Sequence, residues 1–94
     1  MDYPFPTEIA SNGNRIVIQH FFKGHEIQVG SRWQGSSGNI VTVEEVKILP
    51  QMSEGNGHIH DWYEIYYTWE EKGEKKTWNK DCFNFQVRYC LIVD

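Results

Sequence analysis

The sequence contains little cysteine and no long hydrophobic segment. Its two cysteines, Cys82 and Cys90, form no CxxC motif, and their spacing fits no zinc pattern. We therefore expect two free thiols in a cytoplasmic protein rather than a disulfide. No apolar run approaches the ~18–20 residues of a membrane-spanning helix, and the N-terminal residues lack the basic and apolar regions of a signal peptide. These absences argue against a membrane protein or a secreted protein.

Basic residues are also scarce, with nine lysines and arginines against thirteen aspartates and glutamates and a net charge of −4. Proteins that bind duplex nucleic acid neutralise its phosphates with a basic surface. The densest basic stretch, 72–80, is interrupted by Glu74 and preceded by Glu70 and Glu71. Such a mixture is typical of a solvated hairpin tip. The charge balance therefore argues against nucleic acid as the partner.

Aromatic residues, in contrast, make up 15% of the chain, and several lie where apolar and polar residues alternate. Alternation of this kind is typical of β-strands. The strongest predicted strand is 59–71, in which one apolar set should face the core: Tyr63, Ile65, Tyr67 and Trp69. The opposite set includes Glu64, whose carboxylate costs little to leave in water. Trp62 and Tyr66 should therefore stand outward on the same face as Glu64.

Other predicted strands lie at 15–22, at 25–29 with a short bent continuation over 30–34, at 40–49 and at 75–78. The aliphatic residues of the 40–49 strand form two alternating pairs that are out of phase, Val41 with Val43 and Val46 with Ile48. One extra residue at Glu44–Glu45 would return all of them to one face. This phase slip therefore predicts a β-bulge.

The two ends of the chain depart from the alternating pattern. Residues 1–14 contain Pro4 and Pro6, which oppose both helix and sheet, so we expect an N-terminal arm there. The remaining residues, 15–94, are sufficient for a single domain.

Near the C-terminus the sequence predicts a short helical turn at about 80–85 and a final strand near 86–92. Asn79 can cap the turn by accepting a hydrogen bond from a free amide. We expect Phe83 from this segment to pack into the core with Trp33.

Several motifs along residues 26–90 resemble those of small phage and bacterial proteins with an SH3-like barrel. They are Gly30-Ser31-Arg32-Trp33, Gly38-Asn39-Ile40-Val41-Thr42-Val43, Tyr63-Glu64-Ile65-Tyr66-Tyr67, and Thr77-Trp78 leading to Phe83. The resemblance implies a mainly β fold, a small SH3-like barrel of four to six antiparallel strands with one short helical turn before the last strand. It implies no catalytic residues, so it assigns no activity.

The segment His58-Ile59-His60-Asp61 is the strongest candidate for metal chemistry. On a strand, His58 and His60 would share a face, and His20 or His25 could complete a site. Two histidines without a cysteine or carboxylate at fixed spacing are more typical of a polar loop, so we predict no metal and no cofactor. A P-loop and a G-x-S-x-G motif are both absent from the sequence. We therefore expect a protein that is not an enzyme, with a metal-dependent enzyme at His58 and His60 as the last alternative.

Four tryptophans and five tyrosines exceed what one small core can bury, so some of them must be exposed. Exposed aromatic residues often anchor protein partners. The sequence therefore predicts a small non-catalytic protein-binding module, and the resemblance to phage proteins implies an inhibitor or adaptor of a host protein. We expect Trp62, Glu64 and Tyr66 to form its binding face. The alternative is a single-stranded nucleic-acid-binding protein whose exposed aromatics stack on bases, although the acidic composition opposes it.

Overall fold

The computed structural model describes residues 4–53 and 59–93, with the backbone alone described at 49–53 and 59–62. Its helices are a single turn of 3₁₀-helix, Gly24–Glu26, and α1, Cys82–Arg88. Its strands are β1 (Thr7–Ile9), β2 (Arg15–Val17), β3 (Arg32–Gly35), β4 (Ile40–Ser53), β5 (Ile59–Glu71), β6 (Glu74–Asp81) and β7 (Tyr89–Val93). The prediction of a mainly β fold is confirmed, and so is the prediction of a short helix before the last strand.

The described strands form one antiparallel sheet in the order β1-β2-β7-β3-β4-β5-β6. The chain passes through β3, β4, β5 and β6 as neighbours, and β7 then returns to lie between β2 and β3. Among the described strands the sheet is open, because its two end strands β1 and β6 do not pair. It therefore has seven strands and does not close into the small SH3-like barrel of four to six strands that the resemblance implied, although the mainly β class holds. One of the additional strands, β1, lies within the predicted arm at 1–14 and pairs with β2. The division into an arm and a domain at 15–94 stays a prediction.

The helix α1 covers the core beside β5 and β6. The helix packs against β5, β6 and β7, and its Phe85 side chain is 0% exposed. The ring of Phe85 lies 5.0 Å from that of Trp33, 5.2 Å from that of Tyr67 and 5.1 Å from that of Tyr89, measured between centroids. These rings form the centre of the core.

The start of α1 determines which phenylalanine enters that core. The cap is Asp81 rather than the predicted Asn79, and the Asp81 carboxylate accepts a hydrogen bond of 3.1 Å from the Asn84 N–H. Each residue turns a helix by ~100°, so Phe83 and Phe85 lie ~200° apart around α1, on opposite faces. Phe83, which the sequence placed in the core, is therefore 63% exposed, and Phe85 takes its place.

The predicted bulge and the predicted register of β5 are both confirmed. Val43 pairs with Tyr67 and Glu45 pairs with Tyr66, which leaves Glu44 as the extra residue on β4. Beyond the bulge, Val46 packs against the core, whereas Ile48 is 66% exposed because it lies where β4 extends past the core. On β5, the predicted inward residues Ile65, Tyr67 and Trp69 belong to the core cluster.

The predicted strands at 15–22 and 25–29 are largely wrong. The first is reduced to β2, and the second is replaced by the 3₁₀ turn. The Glu26 carboxylate accepts a hydrogen bond of 2.7 Å from the Lys23 N–H, and the Glu26 N–H donates to the Lys23 carbonyl at 2.8 Å. These local bonds compete with strand formation. They bring a short loop back across the sheet toward α1.

Candidate functional site

The predicted binding face lies on the side of β5 that points away from the core. Tyr66 and Glu64 are half-buried there, and a hydrogen bond to Glu64 raises the pKa of the Tyr66 hydroxyl above its ordinary value. Glu64 also accepts a hydrogen bond from the Asn79 side chain, and the Lys47 ammonium lies 5.0 Å from the centroid of the Tyr66 ring. The third predicted residue, Trp62, falls where only the backbone is described. The structure therefore brings Glu64 and Tyr66 together, but it engages both in a network within the chain.

A different surface offers an open site. A cleft of about 670 Å³ lies between the loop 21–25, hereafter the cleft loop, and the start of α1. Its lining consists of Phe21, Phe22, Lys23, Gly24, His25, Tyr63, Asp81, Cys82, Phe83 and Gln86. Tyr63 belongs to the opposite face of β5 from Tyr66, since successive strand residues alternate between faces. The cleft and the predicted face are therefore separate surfaces.

The side chain of Gln86 fastens the cleft loop to α1. Its Oε1 accepts a hydrogen bond of 2.6 Å from the Phe22 N–H, and its Nε2 donates one of 2.8 Å to the Phe22 carbonyl. The same Nε2 lies 3.2 Å from the Cys82 Sγ. One amide thus satisfies both backbone groups of a loop residue that no neighbouring strand serves. The two walls of the cleft are held at a defined separation by these bonds.

Gly24 and Tyr63 form another contact that shapes the cleft. Gly24 is buried, and a Cβ built on it would lie 2.1 Å from Cγ of the Tyr63 ring. Real carbon atoms do not approach this closely, so the ring rests directly on the glycine backbone. Only a residue without a side chain permits this contact.

Two phenylalanine rings form an exposed rim on the cleft. Phe21 and Phe83 stack with centroids 5.4 Å apart and ring planes 10° from parallel. They remain 54% and 63% exposed. We call this pair the aromatic rim. Such large apolar groups lose favourable burial when they stay in water, and clusters of them mark interaction sites.

Two polar groups of the cleft, the Cys82 thiol and the Asp81 carboxylate, have structural roles. Burial raises the pKa of the Cys82 thiol, whose Sγ also lies 3.7 Å from the Phe22 carbonyl that it donates to. A raised pKa keeps the group as a thiol, which is a poor nucleophile. Partial burial acts to raise the pKa of Asp81, but hydrogen bonds from Asn84 outweigh it and hold the pKa below its ordinary value. Asp81 is thereby committed to capping α1.

Metal binding finds no support in the part of the chain that the structure describes. In residues 4–53 and 59–93, no group of three or more histidine, cysteine, aspartate or glutamate side chains is placed to hold an ion. The predicted alternative at His58 and His60 is not tested, because His58 lies outside the described residues and only the backbone of His60 is described. The same described residues include no helix long and apolar enough to cross a membrane.

Sequence reasoning missed the cleft because its walls come from distant parts of the chain. Phe22 and Gln86 are separated by 64 residues, and no local pattern indicates that they meet. The adjacent aromatic residues Phe21 and Phe22 were one local indication that this segment is not a regular strand with a single buried face. An alternating strand would have placed them on opposite faces, yet both line the cleft.

No known protein family, curated protein or solved structure matches the chain. The resemblance to phage and bacterial proteins with an SH3-like barrel therefore stays a prediction.

Proposed function

We propose that the protein is a small non-catalytic module that binds another protein through the cleft. The observation that carries this proposal is the aromatic rim, in which Phe21 and Phe83 stack on each other while both rings stay more than half exposed. Aromatic side chains dominate the residues that contribute most to protein–protein binding energy. Folding of the chain alone gives no reason to leave this pair in water.

The shape of the site supports the same function. Its volume of about 670 Å³ falls within the ~300–1,000 Å³ typical of ligand sites, which is room for apolar side chains of a partner segment. The bonds from Gln86 to Phe22 fix the cleft loop before any partner arrives. A wall that is already ordered loses little conformational entropy on binding.

The predicted face at Trp62, Glu64 and Tyr66 is the second surface that such a module could use. Of this face, the side chains of Glu64 and Tyr66 are described, and they are less free to contact a partner. Tyr66 and Glu64 already bind each other, and Lys47 lies over the Tyr66 ring. We therefore favour the cleft and retain the face as an outcome of the test.

Action on a host protein in the cytoplasm belongs to this proposal as well. The support for the compartment is that Cys82 and Cys90 are both free thiols in the structure, as is usual in reducing surroundings. The role as an inhibitor or an adaptor follows from the resemblance alone.

The test selects binding peptides from a displayed random library on the full chain and then measures their affinity for point variants. Phe83→Ala should weaken binding about tenfold or more, since truncating an anchor residue costs ~2 kcal/mol. Val29→Ala is the matched control, because Val29 is 64% exposed but does not line the cleft. Its affinity should equal that of the parent protein.

Other outcomes would contradict the proposal. Peptides that bind Phe83→Ala normally but fail to bind Tyr66→Ala would move the site to the predicted face. A selection that yields no binder, together with salt-dependent binding of single-stranded oligonucleotides, would favour the nucleic-acid alternative.

A further inference from the structure

The outer edge of β6 is a second surface that could bind a partner. Within residues 4–53 and 59–93, β6 pairs only with β5 and is the last strand of the sheet. Residues 74–78 of this strand are exposed, and the Trp78 ring is 59% exposed. A strand edge presents unpaired N–H and C=O groups, which are a template for another strand.

The hairpin geometry identifies the backbone groups that face outward. The turn between β5 and β6 consists of Lys72 and Gly73, with φ of 53° and 79°, which is the type I′ conformation. In such a hairpin the closing pair, Glu71 with Glu74, exchanges both hydrogen bonds, and bonded and non-bonded pairs then alternate along the ladder. Residues 74, 76, 78 and 80 therefore bond to β5. The N–H and C=O groups of Lys75, Thr77 and Asn79 point outward.

We propose that a second copy of this chain pairs with the β6 edge, antiparallel, with the two-fold axis at Thr77. A symmetric pair must place outward residues opposite outward residues. Two registers satisfy this condition over most of the strand. One is centred on Thr77, and the other is centred on Trp78.

Side-chain chemistry favours the register centred on Thr77. It places Glu74 opposite the partner's Lys80, and symmetry repeats this attraction on the other side. It also places Lys76 opposite the partner's Trp78, where an ammonium can lie over an indole ring. Both are non-bonded pairs, in which opposing side chains approach most closely, with Cα atoms about 4.5 Å apart. Glu74 and Lys76 also contact each other within the chain at 3.2 Å, but no two like charges face each other across the axis in this register.

The register centred on Trp78 is less favourable. It places Lys76 opposite the partner's Lys80 twice, and like charges directly opposite one another repel. Its compensating pair joins Lys75 to the partner's Asp81, but Lys75 is already bound to Glu44 at 3.0 Å. Charge complementarity thus selects one register.

The test is sedimentation equilibrium of the full chain over a concentration series. The parent protein should show a monomer–dimer equilibrium, because pairing of one short strand buries less than the ~1,200–2,000 Å² of a standard stable interface. Glu74→Lys and Lys80→Glu should each be monomeric, since each variant faces like charges across the axis. An equimolar mixture of these two variants should form a heterodimer, because every facing pair is then opposite in charge.

Thr77→Pro provides the backbone test. The Thr77 N–H points away from β5, so proline removes an intermolecular hydrogen bond and leaves the hairpin ladder intact. This variant should be monomeric with an unchanged melting temperature. The proposal is overturned if the parent chain is monomeric at every concentration, if Thr77→Pro still dimerises, or if the charge variants fail to associate on mixing.

Discussion

Replacing Gly24 with alanine tests the contact that shapes the cleft. The added Cβ would lie 2.1, 2.3 and 2.6 Å from the Cγ, Cδ2 and Cδ1 atoms of Tyr63. These atoms are the root of the ring, next to the Tyr63 backbone, so the side chain cannot avoid the new methyl group by a small rotation. Overpacking of this kind costs about 1–3 kcal/mol. We expect Gly24→Ala to lower the free energy of unfolding by that amount in urea denaturation.

A double-mutant cycle separates the clash from any other effect of the alanine. Gly24→Ala introduced into a Tyr63→Ala background should cost almost nothing, because the ring that it meets is gone. The coupling energy between the two positions should therefore be about 1–3 kcal/mol. An equal loss of stability in both backgrounds, or no loss in the parent chain, would refute the contact.

Three further predictions concern the core, the cleft and the bulge. Phe85→Ala should lower the free energy of unfolding by about 3–5 kcal/mol, whereas Phe83→Ala on the same helix should change it by about 0.5 kcal/mol or less, as denaturation curves can show. Gln86→Ala leaves two backbone groups of the cleft loop unpaired, at a cost of about 1–3 kcal/mol, and should speed amide hydrogen exchange in that loop. A hydrogen bond from Lys75, followed by one from Thr68, holds the pKa of Glu44 below its ordinary value of 4.5. The stabilisation by Glu44 is therefore present above that value and lost as the pH falls through the lowered pKa, and Lys75→Met should move the NMR titration of Glu44 upward.

The features that the sequence predicted correctly are those with a local periodic signal. The register of β5 follows from the alternation of Ile65, Tyr67 and Trp69 with polar residues, because a strand of this kind buries only one face. The bulge follows from a phase slip between Val43 and Val46. In both cases the burial of a few neighbouring side chains determines the structure.

The packing of α1 could not be read from local signals. Asn79 and Asp81 are both good helix caps, and the choice between them decides whether Phe83 or Phe85 enters the core. That choice depends on packing of α1 against β5 and β7, which the local sequence does not encode.

The cleft depends even more on distant contacts. The bonds between Gln86 and Phe22 join segments that share no pattern. The polar network around Tyr66 could not be predicted either, because Lys47 contacts the ring from the neighbouring strand β4. The outward direction of Tyr66 was predicted correctly, but its engagement with Glu64 and Lys47 was not.

The most direct test of the central claim is an NMR titration of the ¹⁵N-labelled full chain with a peptide selected for binding. If the cleft is the binding site, the amide shifts that change most should belong to the cleft loop, 21–25, and to the start of α1, 81–86. If the largest changes instead lie around Glu64 and Tyr66 on the outer face of β5, with the cleft loop unaffected, the cleft is not the site through which this protein binds its partner.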